Sequence, residues 1–302
     1  QPVPVLISQT FADNCSVFPD SPVTDPRGET CTGSNLTGMT GALVTGIFGR
    51  YIAVAPVERY FDAGLGYASL SGSSLVPDSK AAAPQVMAAL GPGPAPTSTL
   101  MAWAFGYHAS AGALSADPRI RDDAIAAMGH SRYGKAALIA AAWSDQVDAA
   151  ITHQSGFAGA ASSRSTTGET LQRMARTYPH WLRPGLADDL KAGNALTLDQ
   201  HFLLALAAPK PVFLGNARRD VWSDPNSTYR VAEAANRIYE AAGSSGLPET
   251  GMRDFQPDAD LSYWLRAGGH SVVSRDIDAF IAFATAHFGR QSEVKTALQT
   301  AQ

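Results

Sequence analysis

The sequence predicts an α/β protein in which a mostly parallel β-sheet is covered by helices on both faces. Its 302 residues are enough to bury one sizeable core. Hydrophobic residues make up 45% and charged residues 17% of the chain, as in compact enzymes. Short β-rich runs alternate with longer helical segments, the pattern of parallel sheets. We therefore expect one catalytic domain over residues 1–302, with residues 291–302 as a solvated tail or an extra helical turn.

The individual elements follow from hydrophobic spacing and from turn-forming residues. Apolar runs bounded by turn formers predict strands at residues 3–8, 51–57, 66–70, 124–128, 149–152, 211–215 and 262–267. Helical spacing and capping residues predict helices at 97–114, 135–143, 169–178, 198–207, 227–242 and 277–288, the first capped by Thr97 or Ser98. The polar segment 12–40 predicts a long surface loop, and the Pro/Ala/Gly-rich segment 77–96 predicts a loop with one short helix.

Charge and composition exclude two classes of partner. A net charge of −4 without a basic run gives no electrostatic footprint for nucleic acid. No apolar stretch reaches the roughly 18 residues that span a bilayer, so we expect no membrane insertion. The first five residues lack the basic and apolar regions of a signal peptide, as in a mature or trimmed chain. Cys15 and Cys31 lie in a polar loop and predict a disulfide of a secreted or periplasmic protein, although two unrelated thiols remain the alternative.

A candidate nucleophile lies between a predicted strand and a predicted helix. The segment reads Gly129-His-Ser-Arg-Tyr-Gly-Lys135. A sharp strand–turn–helix connection lifts a serine hydroxyl to the top of a sheet, and small neighbouring residues keep the turn free of clashes. The spacing is G-x-S-x-x-G instead of the commoner G-x-S-x-G, and a serine that only caps the next helix is the alternative. The flanking elements favour Ser131 as the nucleophile of an α/β-hydrolase fold.

The general base is predicted from chain order. In this fold the nucleophile is followed by the acid and then by the histidine. Of seven histidines, only His270 and His287 lie beyond a plausible acid after the strand at 211–215. His287 falls in the predicted closing helix, whereas His270 follows two glycines in a loop that can bring its ring to Ser131. We therefore expect His270 to be the base, with a loop histidine without a partner as the alternative.

Two carboxylates compete for the role of the triad acid. Asp220 comes shortly after the end of the strand at 211–215, where the fold places its acid. Asp224 lies four residues further on, immediately before Pro225, where it is equally suited to cap the following helix. We favour Asp220, and the sequence leaves Asp224 open.

Beyond these patterns, the chain resembles the glucuronoyl esterases, carbohydrate esterase family 15. The nucleophile segment is similar to the family signature G-x-S-R-x-G-K, and further similar segments occur in the same order over about residues 65–290, at 100–106, 154–161, 168–170, 179–181, 219–225 and 268–270. The resemblance implies hydrolysis of 4-O-methyl-glucuronoyl esters, which join glucuronoxylan to lignin alcohols, without a metal or organic cofactor. It also implies a sheet shortened at its N-terminal edge, because the strand at 3–8 corresponds to the third strand of the fold.

The resemblance assigns roles to four further residues. Arg132 would stabilise the oxyanion through its backbone N–H and its guanidinium, whereas a surface salt bridge is the alternative. Lys135, one helical turn after the serine, and Glu169 would bind sugar hydroxyls. Trp222 would give the sugar ring a flat wall. The alternatives are a solvated helix lysine, a carboxylate in the first turn of a helix, and a half-buried packing residue.

Two departures from the family bear on these roles. Some members use a glutamate as the acid where this chain has Gln154, which cannot carry a charge, so the acid role should fall to Asp220. Residues 12–60 match loosely, which leaves open the part of the oxyanion hole near Thr10 and Phe11. We expect a monomeric esterase acting on glucuronoxylan or lignin–carbohydrate esters. Another esterase on the same fold, of the acetyl-xylan or feruloyl type, and a carbohydrate-binding pseudoenzyme are the rival interpretations.

Overall fold

The described strands form one parallel sheet. The computed structural model describes residues 1–12, 14–18, 43, 45–52, 54–89, 98–193, 196–248 and 251–300, with the side chains of the last helix described up to residue 289. Within these ranges, six strands pair in the order β2-β1-β3-β4-β5-β6, and every pair is parallel. The strands are β1 Val3–Thr10, β2 Gly66–Ser71, β3 Ile120–His130, β4 Ala149–His153, β5 Val212–Ala217 and β6 Leu261–Arg266.

The helices lie between and after the strands. Their bounds are Asn14–Val17, Val57–Asp62, Gly72–Leu75, Ala82–Ala89, Thr99–Ser115, Arg132–Trp143, Leu171–Thr177, Leu186–Lys191, Gln200–Ala207, Pro225–Ala241 and Ser274–Thr300, with 3-10 turns at Pro179–Trp181 and Val221–Ser223. Ser98 caps its helix by accepting a hydrogen bond from the Met101 amide at 3.2 Å, whereas Thr97 lies outside the described residues. In the described part of the chain, no helix combines the length and the apolar character that a membrane span requires.

The prediction of a strand at residues 51–57 is wrong. Residues 51 and 52 form a turn, residue 53 is not described, and a helix begins at Val57. Pro56 precedes this helix and has no backbone N–H to offer a strand ladder. Val57 and Tyr60 are spaced three residues apart and are both buried, so one face of a helix packs where an apolar run predicted a strand. The short helices Gly72–Leu75 and Leu186–Lys191 were also absent from the sequence prediction.

The sheet separates two hydrophobic layers, as alternating side chains on a strand require. On β1, Val5 and Ile7 pack with Trp103 on one face, while Leu6 packs with Phe283 on the other. Burying a side chain of this size contributes about 1.5–3 kcal/mol, so both faces hold the sheet in place. The predicted parallel sheet with helices on both faces is confirmed. Its consequence is that the carboxyl ends of neighbouring strands meet at one edge, where the loops that follow them converge.

Cys15 anchors the polar N-terminal segment to the sheet. It is 5% exposed, and it is disulfide-bonded. Its helix is fixed to the edge strand by a 3.0 Å hydrogen bond from Ser69 Oγ to Asn14 Oδ1. The predicted partner Cys31 lies outside the described residues, as does most of the segment 12–40.

A buried ion pair joins the end of β6 to the last helix. Arg266 Nε donates to both carboxylate oxygens of Asp276, at 2.7 and 2.8 Å, and the two side chains are 3% and 0% exposed. The Trp264 indole and the Val273 amide also donate to this carboxylate, at 3.2 and 2.9 Å. Burial alone would raise the pKa of Asp276, but the contacts with His153 and Arg266 outweigh it and lower this pKa to about 2.

We predict that Asp276→Asn destabilises the fold, because it leaves the Arg266 guanidinium buried without a counter-charge. The free energy of unfolding near neutral pH should fall by about 3–5 kcal/mol. The pKa of the wild-type carboxyl is about 3.9 when unfolded and about 2 when folded. Its stabilising contribution is therefore complete above about pH 4 and is lost as the pH falls to about 2.

Urea unfolding at a series of pH values from neutral to acid checks this prediction. The matched control is Asp278→Asn, which removes an exposed carboxylate that pairs with Arg59. Asp278→Asn should unfold like the wild type. Between pH 4 and pH 2, Asp276→Asn should lose less stability than the wild type loses. An Asp276→Asn variant as stable as the wild type at neutral pH would contradict the prediction.

Candidate active site

Ser131 occupies a strained turn between β3 and the helix Arg132–Trp143. Its backbone has φ 56° and ψ −122°, a region that residues with a side chain rarely adopt. The Ser131 amide donates to the His153 carbonyl at the end of β4, at 2.8 Å, so the turn is tied to the neighbouring strand. The Ser131 side chain makes no capping hydrogen bond to the helix. The turn therefore presents the hydroxyl at the carboxyl edge of the sheet instead of using it as a cap.

Two glycines permit this turn. A Cβ added to Gly129 would lie 2.3 Å from the backbone carbonyl of Tyr133. A Cβ added to Gly134 would lie 2.9 Å from the Gly129 carbonyl oxygen and 3.1 Å from that of His153. Tyr133 stands where the commoner motif has its glycine, and its hydroxyl lies 3.2 Å from Ser73 Oγ. The longer spacing therefore still places a glycine at the point of closest approach between helix and strands.

The imidazole of His270 is held by Asp220. Nδ1 of His270 lies 2.7 Å from Asp220 Oδ2, and the Ser223 amide donates to Asp220 Oδ1 at 3.2 Å. Burial opposes ionisation of Asp220, but the hydrogen bonds from His270 and Ser223 outweigh it and lower the pKa of this carboxyl. Asp224 instead accepts from the Ser227 amide at 3.0 Å and caps the helix Pro225–Ala241. Of the two candidate acids, Asp220 is thus the one that reaches the imidazole.

Ser131 and His270 line one open pocket, which encloses about 340 Å³ of empty space. The hydrogen bonds that His270 makes within the described residues use Nδ1, so Nε2 stays available for the serine hydroxyl. The hydrogen bond between Ser131 Oγ and Nε2 is not formed in this conformation, and such bonds often tighten only when substrate binds. His287 lies in the last helix with Nε2 3.2 Å from the Ala259 carbonyl, in agreement with the structural role expected for it.

The Arg132 side chain is fixed at the edge of this pocket. Its guanidinium forms an ion pair with Asp78 and lies over the Trp181 ring, 4.9 Å from the centroid. Asp78 also accepts a hydrogen bond from the Trp181 indole at 2.7 Å and lies 2.9 Å from His180 Nε2. Nε of Arg132 is buried without a partner among the described residues. The side chain is therefore part of the pocket wall, not a surface salt bridge.

Lys135 points its ammonium group at the floor of the pocket. The side chain is 3% exposed, and Nζ donates to the carbonyl oxygens of Ser155 and Phe157, each at 2.5 Å. Burial lowers the pKa of Lys135 to about 8, against the opposing effect of the nearby Glu169 carboxylate. Lys135 is thus not the solvated helix lysine of the alternative interpretation.

Glu169 and Trp222 line the same pocket and are joined through their backbones. Glu169 precedes the helix Leu171–Thr177, its amide donates to the Trp222 carbonyl at 3.1 Å, and it is 4% exposed. Burial raises the pKa of its carboxyl, while Lys135 and Arg173 oppose this shift. The Trp222 ring is 41% exposed, and the Arg173 guanidinium lies 4.6 Å from its centroid. The helix begins at Leu171, two residues later than the sequence predicted. Glu169 therefore lies before the helix, where it lines the pocket.

Sequence reasoning missed three contributors to the pocket. Asp78 forms an ion pair with Arg132, and the Arg173 guanidinium lies over the Trp222 ring. The Ser223 amide donates a hydrogen bond to the candidate acid, Asp220. No motif marks Asp78 or Arg173, and Ser223 lies in the similar segment 219–225 without an assigned role, because each acts through a neighbour that folding brings close. Among the residues that the structure describes, no group of three or more His, Cys, Asp or Glu side chains is arranged to hold a metal ion.

Comparisons with known sequences relate the chain to a family of esterases. The profile of a family described as "Glucuronyl esterase, fungi" matches residues 89–243, just over half of the chain. Carbohydrate esterase MZ0003 from an unknown prokaryotic organism is 36% identical over 191 residues, which cover 63% of this chain and 44% of that protein. The 4-O-methyl-glucuronoyl methylesterase 1 of Wolfiporia cocos is 30% identical over 158 residues, 49% of this chain and 39% of that protein. The chain thus spans less than half of the length of these curated relatives.

Solved structures show the same fold. A promiscuous CE15 esterase from a marine bacterial metagenome superposes with a TM-score of 0.78 at 29% identity, over 95% of this chain and 74% of that one. The glucuronoyl esterase from Solibacter usitatus gives a TM-score of 0.78 at 26% identity, over 95% of this chain and 74% of that one. These likenesses confirm the α/β-hydrolase fold predicted from the sequence.

We predict that Gly129→Ala destabilises the protein and abolishes the serine turn, because the new methyl group overlaps the Tyr133 carbonyl. The matched control is Gly112→Ala in the helix Thr99–Ser115, where the added methyl group meets only Gln146 Oε1 at 3.7 Å. Alanine is favoured over glycine in a helix by about 1 kcal/mol, so the control should gain stability. Thermal unfolding of both variants checks the prediction, and a Gly129→Ala variant as stable as the wild type would contradict it.

Proposed function

Because the chain belongs to the glucuronoyl esterase family, we propose that it hydrolyses 4-O-methyl-glucuronoyl esters of glucuronoxylan by serine acyl transfer. The observation that carries the proposal is the 2.7 Å hydrogen bond between Asp220 and His270 at a pocket shared with Ser131. A carboxylate that holds one ring nitrogen leaves the other nitrogen basic and fixes the orientation of the imidazole. A serine hydroxyl on a strained turn that lines the same pocket as such an imidazole supports a nucleophilic mechanism.

The proposed reaction has two steps. His270 accepts the proton of Ser131 as the hydroxyl attacks the ester carbonyl, and Asp220 stabilises the resulting imidazolium. The tetrahedral intermediate collapses to a glucuronoyl-serine ester as the alcohol leaves with a proton from His270. Water activated by His270 then attacks this ester and releases the uronic acid. The Arg132 amide and its buried, unpartnered Nε–H are the donors we assign to the oxyanion.

The sugar ring is proposed to bind between Trp222, Glu169 and Lys135. The exposed indole face suits the apolar C–H side of a pyranose, while the carboxylate and the ammonium group bind its hydroxyls. Lys135 has three N–H donors, of which two are used by the Ser155 and Phe157 carbonyls. One donor therefore remains for the substrate, which gives the pocket a hydrogen bond of fixed direction.

The disulfide at Cys15 supports a location in an oxidising compartment, outside the cell or in the periplasm.

The pocket is lined by residues of one chain, so we propose that the enzyme acts as a monomer on glucuronoxylan or lignin–carbohydrate esters. We propose no nucleic-acid or membrane partner for this reaction.

The first test compares the two candidate acids during turnover of benzyl glucuronate. Asp220→Asn removes the charge that stabilises the imidazolium, so kcat should fall on the order of 10⁴-fold. In Ser131→Ala, kcat should fall by at least as much, because the nucleophile is missing. Asp224→Asn is the matched control, because asparagine caps a helix as well as aspartate. The control should keep kcat within about twofold of the wild type. Equal losses in Asp220→Asn and Asp224→Asn would contradict the assignment.

Substrate class is tested with three esters in parallel. Benzyl glucuronate, an acetylated xylan fragment and a feruloyl ester share the reacting carbonyl but differ in the acyl group that the pocket must hold. Glucuronate turnover that exceeds the other two and that falls in Trp222→Ala supports the proposal. Preference for the acetyl or feruloyl ester identifies another esterase, and binding of xylan fragments without any Ser131-dependent turnover identifies a pseudoenzyme.

We predict that KM for the glucuronate ester rises as the pH passes about 8, the pKa of Lys135. Below this pH the ammonium group has three donors and above it the amine has two, both used by the backbone carbonyls. The donor to the substrate is therefore lost as the pH rises. Initial rates from pH 6 to 10 measure the effect, and Lys135→Met should show a raised KM that no longer changes near pH 8. A pH-independent wild-type KM would contradict this role.

A further inference from the structure

Gln154 holds the backbone on both sides of His270. Its carboxamide nitrogen donates to the Gly269 carbonyl at 3.1 Å, and its carboxamide oxygen accepts from the Ser271 amide at 2.9 Å. The residue is 1% exposed, so these hydrogen bonds do not compete with water. One planar side chain thus bridges the residue before the imidazole and the residue after it.

The backbone of Gln154 is itself fixed by the neighbouring elements. It has φ 49°, its amide donates to the Gly215 carbonyl of β5 at 2.7 Å, and its carbonyl accepts from Ser223 Oγ at 3.1 Å. Ser223 Oγ lies 3.3 Å from His270 Nδ1. Gln154 therefore connects the end of β4 with the end of β5, the turn that bears the acid, and the histidine loop.

The histidine loop needs such support. Gly268 has φ +102°, and two consecutive glycines allow the backbone many conformations. Arg266 also stabilises the loop, because its Nη2 donates a hydrogen bond to the Ser271 carbonyl at 2.5 Å. Arg266 acts on the Ser271 side, with a longer contact of 3.4 Å to the Gly269 carbonyl. Ser271 Oγ also donates to the Gly269 carbonyl, at 3.3 Å, so Gln154 supplies the shortest of three side-chain hydrogen bonds to the residue before His270.

A carboxamide serves both partners. It donates to the Gly269 carbonyl and accepts from the Ser271 amide, whereas a carboxylate offers acceptors alone. A carboxylate at this position would also bring a second negative charge to the imidazole beside Asp220, and a nearby negative charge raises the pKa of an imidazole. The amide fixes the loop without changing this charge balance.

We propose that Gln154 is a positioning residue that sets the imidazole of His270 relative to Ser131 while leaving Asp220 as the acid partner of the ring. The kinetic part of this inference rests on the proposed function. Because misplacement of a catalytic group by about 1 Å can cost on the order of 10²-fold in rate, loss of the bridge should appear in kcat. KM should change little, because Gln154 acts on the reacting group through His270.

The test uses Gln154→Met, which removes both hydrogen bonds at similar size, and Gln154→Glu, which keeps the acceptor and replaces the donor with a charge. In Gln154→Met, kcat for benzyl glucuronate should fall about 10- to 100-fold, with KM within about twofold and the acid limb of the pH–rate profile in place. In Gln154→Glu, kcat should also fall, and the acid limb should move to higher pH. The controls are Gln85→Met and Gln85→Glu on an exposed helix position, which should behave like the wild type.

A second readout separates this inference from the choice of substrate. A fluorophosphonate probe reports how strongly His270 activates Ser131, whichever ester is the substrate. If the wild type is labelled at Ser131 but does not cleave benzyl glucuronate, the proposed substrate is wrong. The labelling rates of the Gln154 variants then still decide the positioning role, with the same expected losses.

Three outcomes would overturn the inference. The first is a Gln154→Met variant with wild-type kcat and labelling rate, and the second is a loss confined to KM. The third is recovery of activity in Gln154→Glu combined with Asp220→Asn, because a carboxylate at position 154 would then reach the imidazole instead of the backbone. Should Gln154→Met fail to fold, Gln154→Glu keeps the Ser271 hydrogen bond but loses the donor to Gly269, and its Ser131 labelling rate relative to Gln85→Glu decides the question.

Discussion

The hydrogen bond between Asp220 and His270 depends on the meeting of two strand ends. Asp220 follows β5 and His270 follows β6, and these strands are adjacent and parallel. Their carboxyl ends therefore lie at the same edge, and both loops begin within reach of each other. Ser131 follows β3 at that edge, with β4 between it and β5. The arrangement of side chains at the pocket is thus a consequence of parallel pairing, and an antiparallel partner would have sent one of these loops to the opposite end.

The backbone around this edge is strained at several points that the surrounding hydrogen bonds hold. Ser131, Gln154 and Asp224 all have positive φ values between 48° and 56°, although none is glycine. Such conformations cost about 1–3 kcal/mol each and persist where neighbouring structure fixes them. The Ser131 amide is tied to β4, and the Gln154 amide is tied to β5, each by a short backbone hydrogen bond. For Ser131 and Gln154 the strain is therefore supported by the sheet, and both of these residues line the pocket.

The imidazole of His270 has the Asp220 carboxylate as its hydrogen-bonded partner and the His130 ring packed against it. His130 packs against His270 with ring centroids 4.6 Å apart, and burial together with neighbouring positive groups lowers the pKa of His130 well below its ordinary value. A neutral His130 does not oppose formation of an imidazolium on His270. Its Nδ1 lies 2.9 Å from His153 Nδ1, and His153 in turn lies 3.3 Å from Asp276. The row of histidine rings therefore ends at the buried Asp276, whose negative charge is balanced by Arg266.

Much of the architecture followed from local patterns. Alternating apolar runs located β1 and β2 and much of the later strands, because each must bury side chains on both faces. Chain order and loop chemistry singled out Ser131 and His270, since a strand–turn–helix motif and a glycine pair are visible in the sequence itself. The segment at 51–57 misled, because an apolar run of that length fits a strand or a short helix equally well.

The sequence by itself located the strands of the sheet, the tight serine turn and the histidine available beyond it, because these depend on residues close together in the chain. Only the tertiary structure decided between Asp220 and Asp224, paired Arg132 with Asp78, and turned the Gln154 amide toward the backbone that flanks His270. Those choices depend on contacts between residues up to 117 positions apart, and such contacts exist only after the sheet has brought the strand ends together.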